Sequence, residues 1–333
     1  MNIGIIGTGF IGNAHATACA RSDMLMLAAI CDTNRQAGEK AAQEFGCAFY
    51  SNAEEMLRQE KIDIVDICLP TFLHEQYVLL AAKHKKHVIC EKPVTLTLES
   101  MDRMIEAARA AGVQFMAAQV IRFWPEYVEM KKMVDAGGFG EIKMVCASRL
   151  GQHPTWTEWH KDPEKSGGGL FDLHLHDIDF LTYVFGEVKS VYAVGWRSET
   201  GCWNHVQTSI QFKNGVSAVA EGAFDMTENY PFTMTFRIVG ESRTVDYRLT
   251  AGVNLEDVGS SIRETVLYEN GQAPQKAVVD TSIDAYQSEL EYFAGCVEEG
   301  KPMEVVSPES SRETLRIILA IQSSLETGKV VIL

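Results

Sequence analysis

Short apolar runs alternate with amphipathic stretches through the first 118 residues. Ile3, Ile5 and Ile6 begin the series. Leu25 to Ile30, Ile62 to Cys68, His87 to Cys90 and Val113 to Ala118 continue it, with a weaker stretch Ala48-Phe49-Tyr50 between. The intervening segments 10–22, 33–45, 53–59, 75–84 and 97–111 read as helices, and Asn52 stands where it would cap the third. Strands that are apolar on both faces and alternate with helices predict an α/β layer around a doubly wound parallel sheet of about six strands.

After a helix at 125–136 the pattern changes. Strands are expected at 141–150, 187–197, 203–213, 215–225, 232–240 and 243–249. The turn signals Lys213-Asn214-Gly215 and Gly240-Glu241-Ser242 imply antiparallel hairpins, so this half should carry a large, mainly antiparallel sheet. The 333 residues therefore divide at 1–120 and 121–333, the second part being an α+β domain. Between Val188 and Trp196 both parities are apolar, with Val191 and Ala193 on one face and Tyr192, Val194 and Trp196 on the other. Such a strand needs cover on both sides, which helices and a second subunit can supply, and a homodimer or homotetramer through this sheet is expected. Ile283, Tyr286, Leu290 and Phe293 stripe one late helix, and Leu315, Ile318, Leu319 and Leu325 stripe another.

Charge and cysteine usage narrow the class. Lys and Arg total 30 against 45 Asp and Glu, and a net charge of −15 would repel nucleic acid and an acidic membrane surface. Eight cysteines without a CxxC pair read as reduced, packed thiols. With no leader-like segment before the first strand and no apolar run near the ~20 residues of a membrane span, a cytoplasmic location is expected.

The first strand runs into Gly7-Thr8-Gly9-Phe10-Ile11-Gly12 and a helix start. In such a turn Gly7 makes the bend, Gly9 lets a pyrophosphate approach the backbone, and Gly12 lets helix and strand pack closely. The second strand ends at Cys31-Asp32, twenty residues beyond Gly12, where a carboxylate can accept the hydroxyls of an adenosine ribose. This is the pattern of a Rossmann NAD site, and Pro70, after the fourth strand, should wall the cofactor. His74 is either a ligand contact or a helix-start histidine bonded to nearby backbone. A lysine held by proline in Glu91-Lys92-Pro93 can aim its ammonium at the same end of the sheet.

Val88-Ile89-Cys90-Glu91-Lys92-Pro93 resembles the EKP signature of the Gfo/Idh/MocA oxidoreductases, the family of glucose–fructose oxidoreductase and inositol dehydrogenase. Ile67-Cys68-Leu69-Pro70 with His74 and the segment Arg122-Phe123-Trp124-Pro125 match further stretches of that family in order. Gly167-Gly168-Gly169-Leu170-Phe171-Asp172-Leu173-His174-Leu175-His176-Asp177-Ile178-Asp179 resembles its GGGxxxDxxxHxxD pattern. The resemblance implies an NAD-dependent enzyme acting on a CH–OH group of a polyol, inositol or sugar, with Lys92, Asp172 and His176 as the chemical set. It also implies Glu91, Phe10 and Ile11 at the cofactor and Arg122 at the substrate.

On a regular helix Asp172 and His176, four apart, share one face. Histidine, with a reference pKa of ~6.5, can take a hydroxyl proton near neutrality, whereas lysine at ~10.4 is ordinarily charged. His176 is therefore expected to be the base, Lys92 the cation at the developing alkoxide, and Asp172 the orienting group; the first two exchange roles if burial neutralises the lysine. His153, Trp156, Trp159 and His160 enrich the loop 151–166, and its aromatics suit sugar faces or a packed lid equally. His174 and His176 have HxH spacing, but on a helix they diverge by about 200°, so no metal is expected. Two alternatives within the family stay open: an NAD-dependent glycoside hydrolase and a non-catalytic NAD-binding regulator.

Overall fold

The computed structural model describes residues 1–154, 158–252 and 261–333. Two compact units result, Met1–Trp124 with Thr281–Arg312 and Pro125–Asp280 with Glu313–Leu333. The boundary falls between residues 124 and 125, a few residues after the expected 120, and residues 281–312, expected in the second part, return to the first.

The first unit is built from β1 (Asn2–Ile6), α1 (Phe10–Arg21), β2 (Met26–Cys31), α2 (Arg35–Phe45), β3 (Ala48–Tyr50), α3 (Ala53–Gln59), β4 (Ile64–Ile67), α4 (His74–Lys83), β5 (His87–Cys90), α5 (Leu98–Ala111) and β6 (Phe115–Ala117). Its six strands are all parallel in the order β3-β2-β1-β4-β5-β6. The order reverses between β1 and β4, and at such a switch point the carboxyl ends of neighbouring strands leave a crevice. Ile3, Ile5, Ile64, Val65, Val88 and Ile89 are fully buried, as apolar runs covered on both faces require. Caps follow local chemistry: the Asn52 side chain accepts from the Glu55 amide, and Thr97 Oγ1 from the Ser100 amide.

In the second unit α6 (Pro125–Asp135) and β7 (Ile142–Leu150) precede the short α7 (Pro163–Ser166), a π-helical turn Leu170–His174 and α8 (Leu175–Phe185). The strands β8 (Val188–Arg197), β9 (Trp203–Phe212), β10 (Ser217–Ala223), β11 (Thr233–Gly240), β12 (Arg243–Thr250), β13 (Ile262–Glu269) and β14 (Gln275–Lys276) follow. The chain then supplies α9 (Ala285–Glu299), α10 (Pro308–Thr327) and β15 (Val331–Ile332). The nine-stranded sheet runs β14-β13-β12-β11-β7-β10-β9-β8-β15, antiparallel except where β10 lies parallel to β7. One face is a core in which Tyr127 meets Phe180, Phe236 and Tyr247 with ring centroids 4.7–5.6 Å apart. On β8, Val191 and Ala193 are buried while Trp196 on the opposite face is 67% exposed.

β13 was not expected, because its sequence mixes charged and apolar positions and among them only Thr265 is buried. α9 joins the first unit by seating Leu290, Phe293 and Ala294, all fully buried, and packing on α1. An amphipathic stripe does not reveal which of two cores it will join. Ile283 is not part of that stripe; it precedes the helix and is half exposed. All eight cysteines are free. Among the described residues no helix is long and apolar enough to cross a membrane.

Candidate active site

The glycine turn after β1 separates structural needs from ligand needs. Gly7 has φ +102°, and a Cβ there would stand 2.3 Å from the Cys68 carbonyl oxygen. A Cβ on Gly12 would stand 2.0 Å from the Gly7 carbonyl oxygen. Both positions are closed to any side chain by the protein itself. Gly9, the N-cap of α1, differs: its Cβ would meet nothing within 4 Å, and no side chain caps the helix. The first turn, Phe10 and Ile11 included, is the positive end of the helix, where an anion is favoured, and Phe10 is 55% exposed there. The turn fits a dinucleotide pyrophosphate.

Asp32 sits at the end of the neighbouring strand. Its Oδ2 accepts from the Thr8 amide at 2.7 Å and the Thr8 hydroxyl at 2.6 Å, and its Oδ1 accepts from the Asn34 amide at 2.7 Å. Of the roughly four lone-pair sites of a carboxylate, three are in use, and the remaining capacity lies on Oδ1. Arg35, the next cation along, pairs with Glu39 at 2.7 Å on the exposed face of α2.

At the ends of β4 and β5 the chain is braced from within. His74 is buried, with Nε2 2.7 Å from the Leu69 carbonyl and Nδ1 3.0 Å from that of Pro93 and 3.1 Å from that of Val94. Burial pulls its pKa below the ordinary value, although the carbonyl contacts oppose this. Of the two readings of His74, the backbone-bonded one is what these contacts show, and they tie the Pro70 turn to the lysine turn. The Lys92–Pro93 bond is cis, and Glu91, buried, accepts the Lys92 amide proton on Oε2 at 2.8 Å. Arg122, expected at the substrate, is also buried, and Nη1 donates to the Val305 carbonyl at 2.6 Å and the Ser310 hydroxyl at 3.3 Å. Both acceptors lie in the first unit.

The second unit places Asp172 and His176 differently from a regular helix. Asp172 lies in the π-helical turn and His176 in the first turn of α8, so simple four-residue spacing does not describe the pair. Gly168 leads into the turn with φ +70°, where a Cβ would lie 2.5 Å from that of Cys202. Around His176 the helix is anchored on other sides. Asp177 binds the buried Arg149, Asp179 accepts from the Thr314 hydroxyl at 2.9 Å, and His174 Nε2 lies 2.8 Å from Thr208 Oγ1. His174, whose role the motif left open, is thus a core group turned onto β9.

The loop before the glycines adds a histidine not among the expected contacts. His160 Nε2 lies 3.8 Å from Asp172 Oδ2, and its ring stacks on Trp159 at a centroid distance of 3.8 Å. Nothing in the sequence ranks His160 above the other aromatic residues of that loop. His153 turns back on itself, Nδ1 donating to the Pro154 carbonyl at 3.0 Å. Trp156, expected at the substrate, lies outside the described residues.

For metals, His15, Asp66 and Cys68 bring ligand-type atoms within 4.8 Å of one another among the described residues. Hydrogen bonding between them, with His15 Nδ1 2.8 Å from Asp66 Oδ2, accounts for the cluster without an ion.

Fold and glycine turn together define a Rossmann protein with a dinucleotide site and a second, sheet-based domain. Residues 1–119 match the family model of the oxidoreductase family, NAD-binding Rossmann fold, and residues 127–246 match the GFO/IDH/MocA C-terminal domain. The chain belongs to the Gfo/Idh/MocA oxidoreductase family. A 2,7-anhydro-N-acetylneuraminate hydratase of Escherichia coli (strain K12) is 31% identical over 69% of this chain and 64% of its own length. The chain therefore spans a little under two thirds of that relative. A myo-inositol 2-dehydrogenase of Thermotoga maritima is 28% identical over 98% of this chain and 96% of its own. The solved aldose-aldose oxidoreductase from Caulobacter crescentus shares the fold, with TM-score 0.88 and 21% identity over 100% of this chain and 99% of that one.

Proposed function

We propose that this chain is an NAD-dependent dehydrogenase that moves hydride between the nicotinamide and a CH–OH carbon of a polyol, inositol or sugar. One observation carries the reading. A glycine turn open to a ligand at Gly9 and the lysine turn at Lys92 occupy the carboxyl ends of β1 and β5, two strands apart in one parallel sheet.

Gly7, Gly9, Gly12 and the amides of Phe10 and Ile11 hold the pyrophosphate, Asp32 the ribose, and Pro70 the wall of the pocket. When bound, NAD supplies the hydride acceptor. His176 takes the hydroxyl proton at a ring nitrogen, and Lys92 Nζ holds the substrate oxygen and stabilises its developing negative charge. Asp172 orients His176 or the substrate, and His160 shares its carboxylate. Trp159 and His153 belong to the substrate side of the same reading.

A screen of inositols, aldoses and their lactones or keto forms, followed by NADH absorbance, identifies the substrate. With it, Lys92→Ala, His176→Ala and Asp172→Asn should each lower kcat by ~10²–10⁴ while NAD still binds. Near wild-type turnover by all three places the chemistry elsewhere. The relative named a hydratase favours a second reading, net addition or elimination of water, which product formation without accumulating NADH would select.

The cytoplasm is the proposed location, and a homodimer or homotetramer through the open sheet face the proposed assembly. That face carries Tyr192, Val194 and Trp196 exposed side by side on alternate positions of β8. Light scattering of wild type and Trp196→Glu tests it, a monomeric variant being the expected result.

A further inference from the structure

On the buried side of α1 lies a titratable side chain, His15, for which neither the cofactor motif nor the proposed chemistry has a use. His15, fully buried, sits between two carboxylates: Nδ1 is 2.8 Å from Asp66 Oδ2 and Nε2 is 3.3 Å from Glu91 Oε1. The second contact is a charge contact whose alignment falls short of a hydrogen bond. Glu91 then accepts the Lys92 amide proton on its other oxygen at 2.8 Å. A continuous line of polar contacts thus runs from Asp66 through His15 and Glu91 to the backbone of Lys92.

We propose that His15 is a positioning residue: as an imidazolium bridging Asp66 and Glu91 it fixes the Glu91 carboxylate and, through it, the Lys92 turn. This rests on the reading of Lys92 as the substrate-facing cation. The chemistry of the ring supports it. A neutral imidazole has one N–H and one lone pair, so in either tautomer the lone pair would face a carboxylate; only the charged ring offers N–H to both.

The groups around it leave that charge with no competitor. Cys19 lies on the same helix, Asp66 and Cys68 come from the end of β4, Glu91 from the end of β5, and Tyr286 and Glu289 from α9. Burial raises the pKa of the thiols of Cys19 and Cys68 and of the Tyr286 phenol, whose ring centroid is 5.5 Å from that of His15. Glu289 is fully buried, and burial pushes its carboxyl well above the usual range, which favours its uncharged form. For His15 burial is the largest influence and opposes the charge, but Asp66 leads the influences that favour it and the net shift is upward. The line ends on the Lys92 backbone amide, so His15 acts through Glu91 and is a positioning and not a catalytic residue.

Two measurements test this. In protein labelled with ¹⁵N-histidine, the His15 ring, assigned by its loss in His15→Gln, should show two protonated nitrogens at a pH ~1 unit above the free value of ~6.5. Glu289→Gln, which mimics a protonated carboxyl, should leave that signal in place. A neutral His15 in wild type overturns the proposal whether or not any variant folds. Second, His15→Gln and Glu91→Gln should each reduce hydrogen-exchange protection of the Lys92 amide by ~10-fold and lower kcat by ~10-fold, with KM for NAD within ~3-fold in His15→Gln. Unchanged protection and kcat in both also overturn it. Full turnover by Lys92→Ala would instead defeat the catalytic reading, while the ring signal and the amide protection would still report on the network.

Discussion

Arg149 and Asp177 form a two-bond ion pair inside the second unit, Nε to Oδ2 at 3.0 Å and Nη2 to Oδ1 at 2.9 Å, with both side chains shielded from solvent. The pair joins β7 to α8 at the residue next to His176, so it sets the rotation of the helix that presents the proposed base. Removing one partner leaves the other charge buried and unpaired. Asp177→Asn or Arg149→Met should therefore cost ~3–5 kcal/mol in urea unfolding, and the double replacement by apolar residues less than the sum of the two. Single variants within ~1 kcal/mol of wild type would show that the pair contributes little.

His174 should make the second unit sensitive to acid. Burial, with Arg149 adding to it, lowers its pKa to about 3. The unfolded residue titrates near ~6.5. Below that value the unfolded chain binds a proton that the folded one does not, so stability declines as pH falls from ~6.5 toward ~3, and nothing is lost on the alkaline side. Between pH 7 and 4.5 the wild type should lose ~2–3 kcal/mol more than His174→Gln. Equal losses would assign the acid sensitivity to other groups.

Gly9 and Gly12 should respond to the same substitution in opposite ways. Gly9→Ala meets no protein atom and should fold with a cost of ~1 kcal/mol or less, yet weaken NAD by ~10-fold or more in a fluorescence titration. Gly12→Ala must displace the Gly7 carbonyl and should cost ~1–3 kcal/mol before any ligand is added. Undiminished NAD binding by Gly9→Ala would count against a pyrophosphate at this helix end.

Asp32 should select against a 2′-phosphate. Its carboxylate already holds the turn through Thr8 and Asn34, so a phosphate would meet fixed negative charge, while Arg35 is engaged with Glu39. NAD should bind at least ~10-fold tighter than NADP, about 1.4 kcal/mol, and Asp32→Ala should narrow the gap. Wild type that binds NADP equally or more tightly would reverse the assignment.

What the sequence determined by itself was local. Gly7, Gly12, Asn52 and the parallel strands follow from backbone conformation, capping and apolar runs, each decided within a few residues of itself. The alternating parity of β8 likewise separated the buried Val191 and Ala193 from the exposed Trp196. Tertiary structure decided the rest, because those outcomes depend on groups far apart in the chain. An amphipathic stripe does not say which core it covers, and α9 joined the first unit. Arg122 and His74, polar residues beside site motifs, found backbone carbonyls to bind once buried. His160 came to Asp172 by the path of a loop, and the π-helical turn moved Asp172 off a simple helical face. His15 shows the limit most clearly: three residues beyond Gly12 it reads as one more helix position, and only the approach of the ends of β4 and β5 sets it between the two carboxylates that give it a charge to carry.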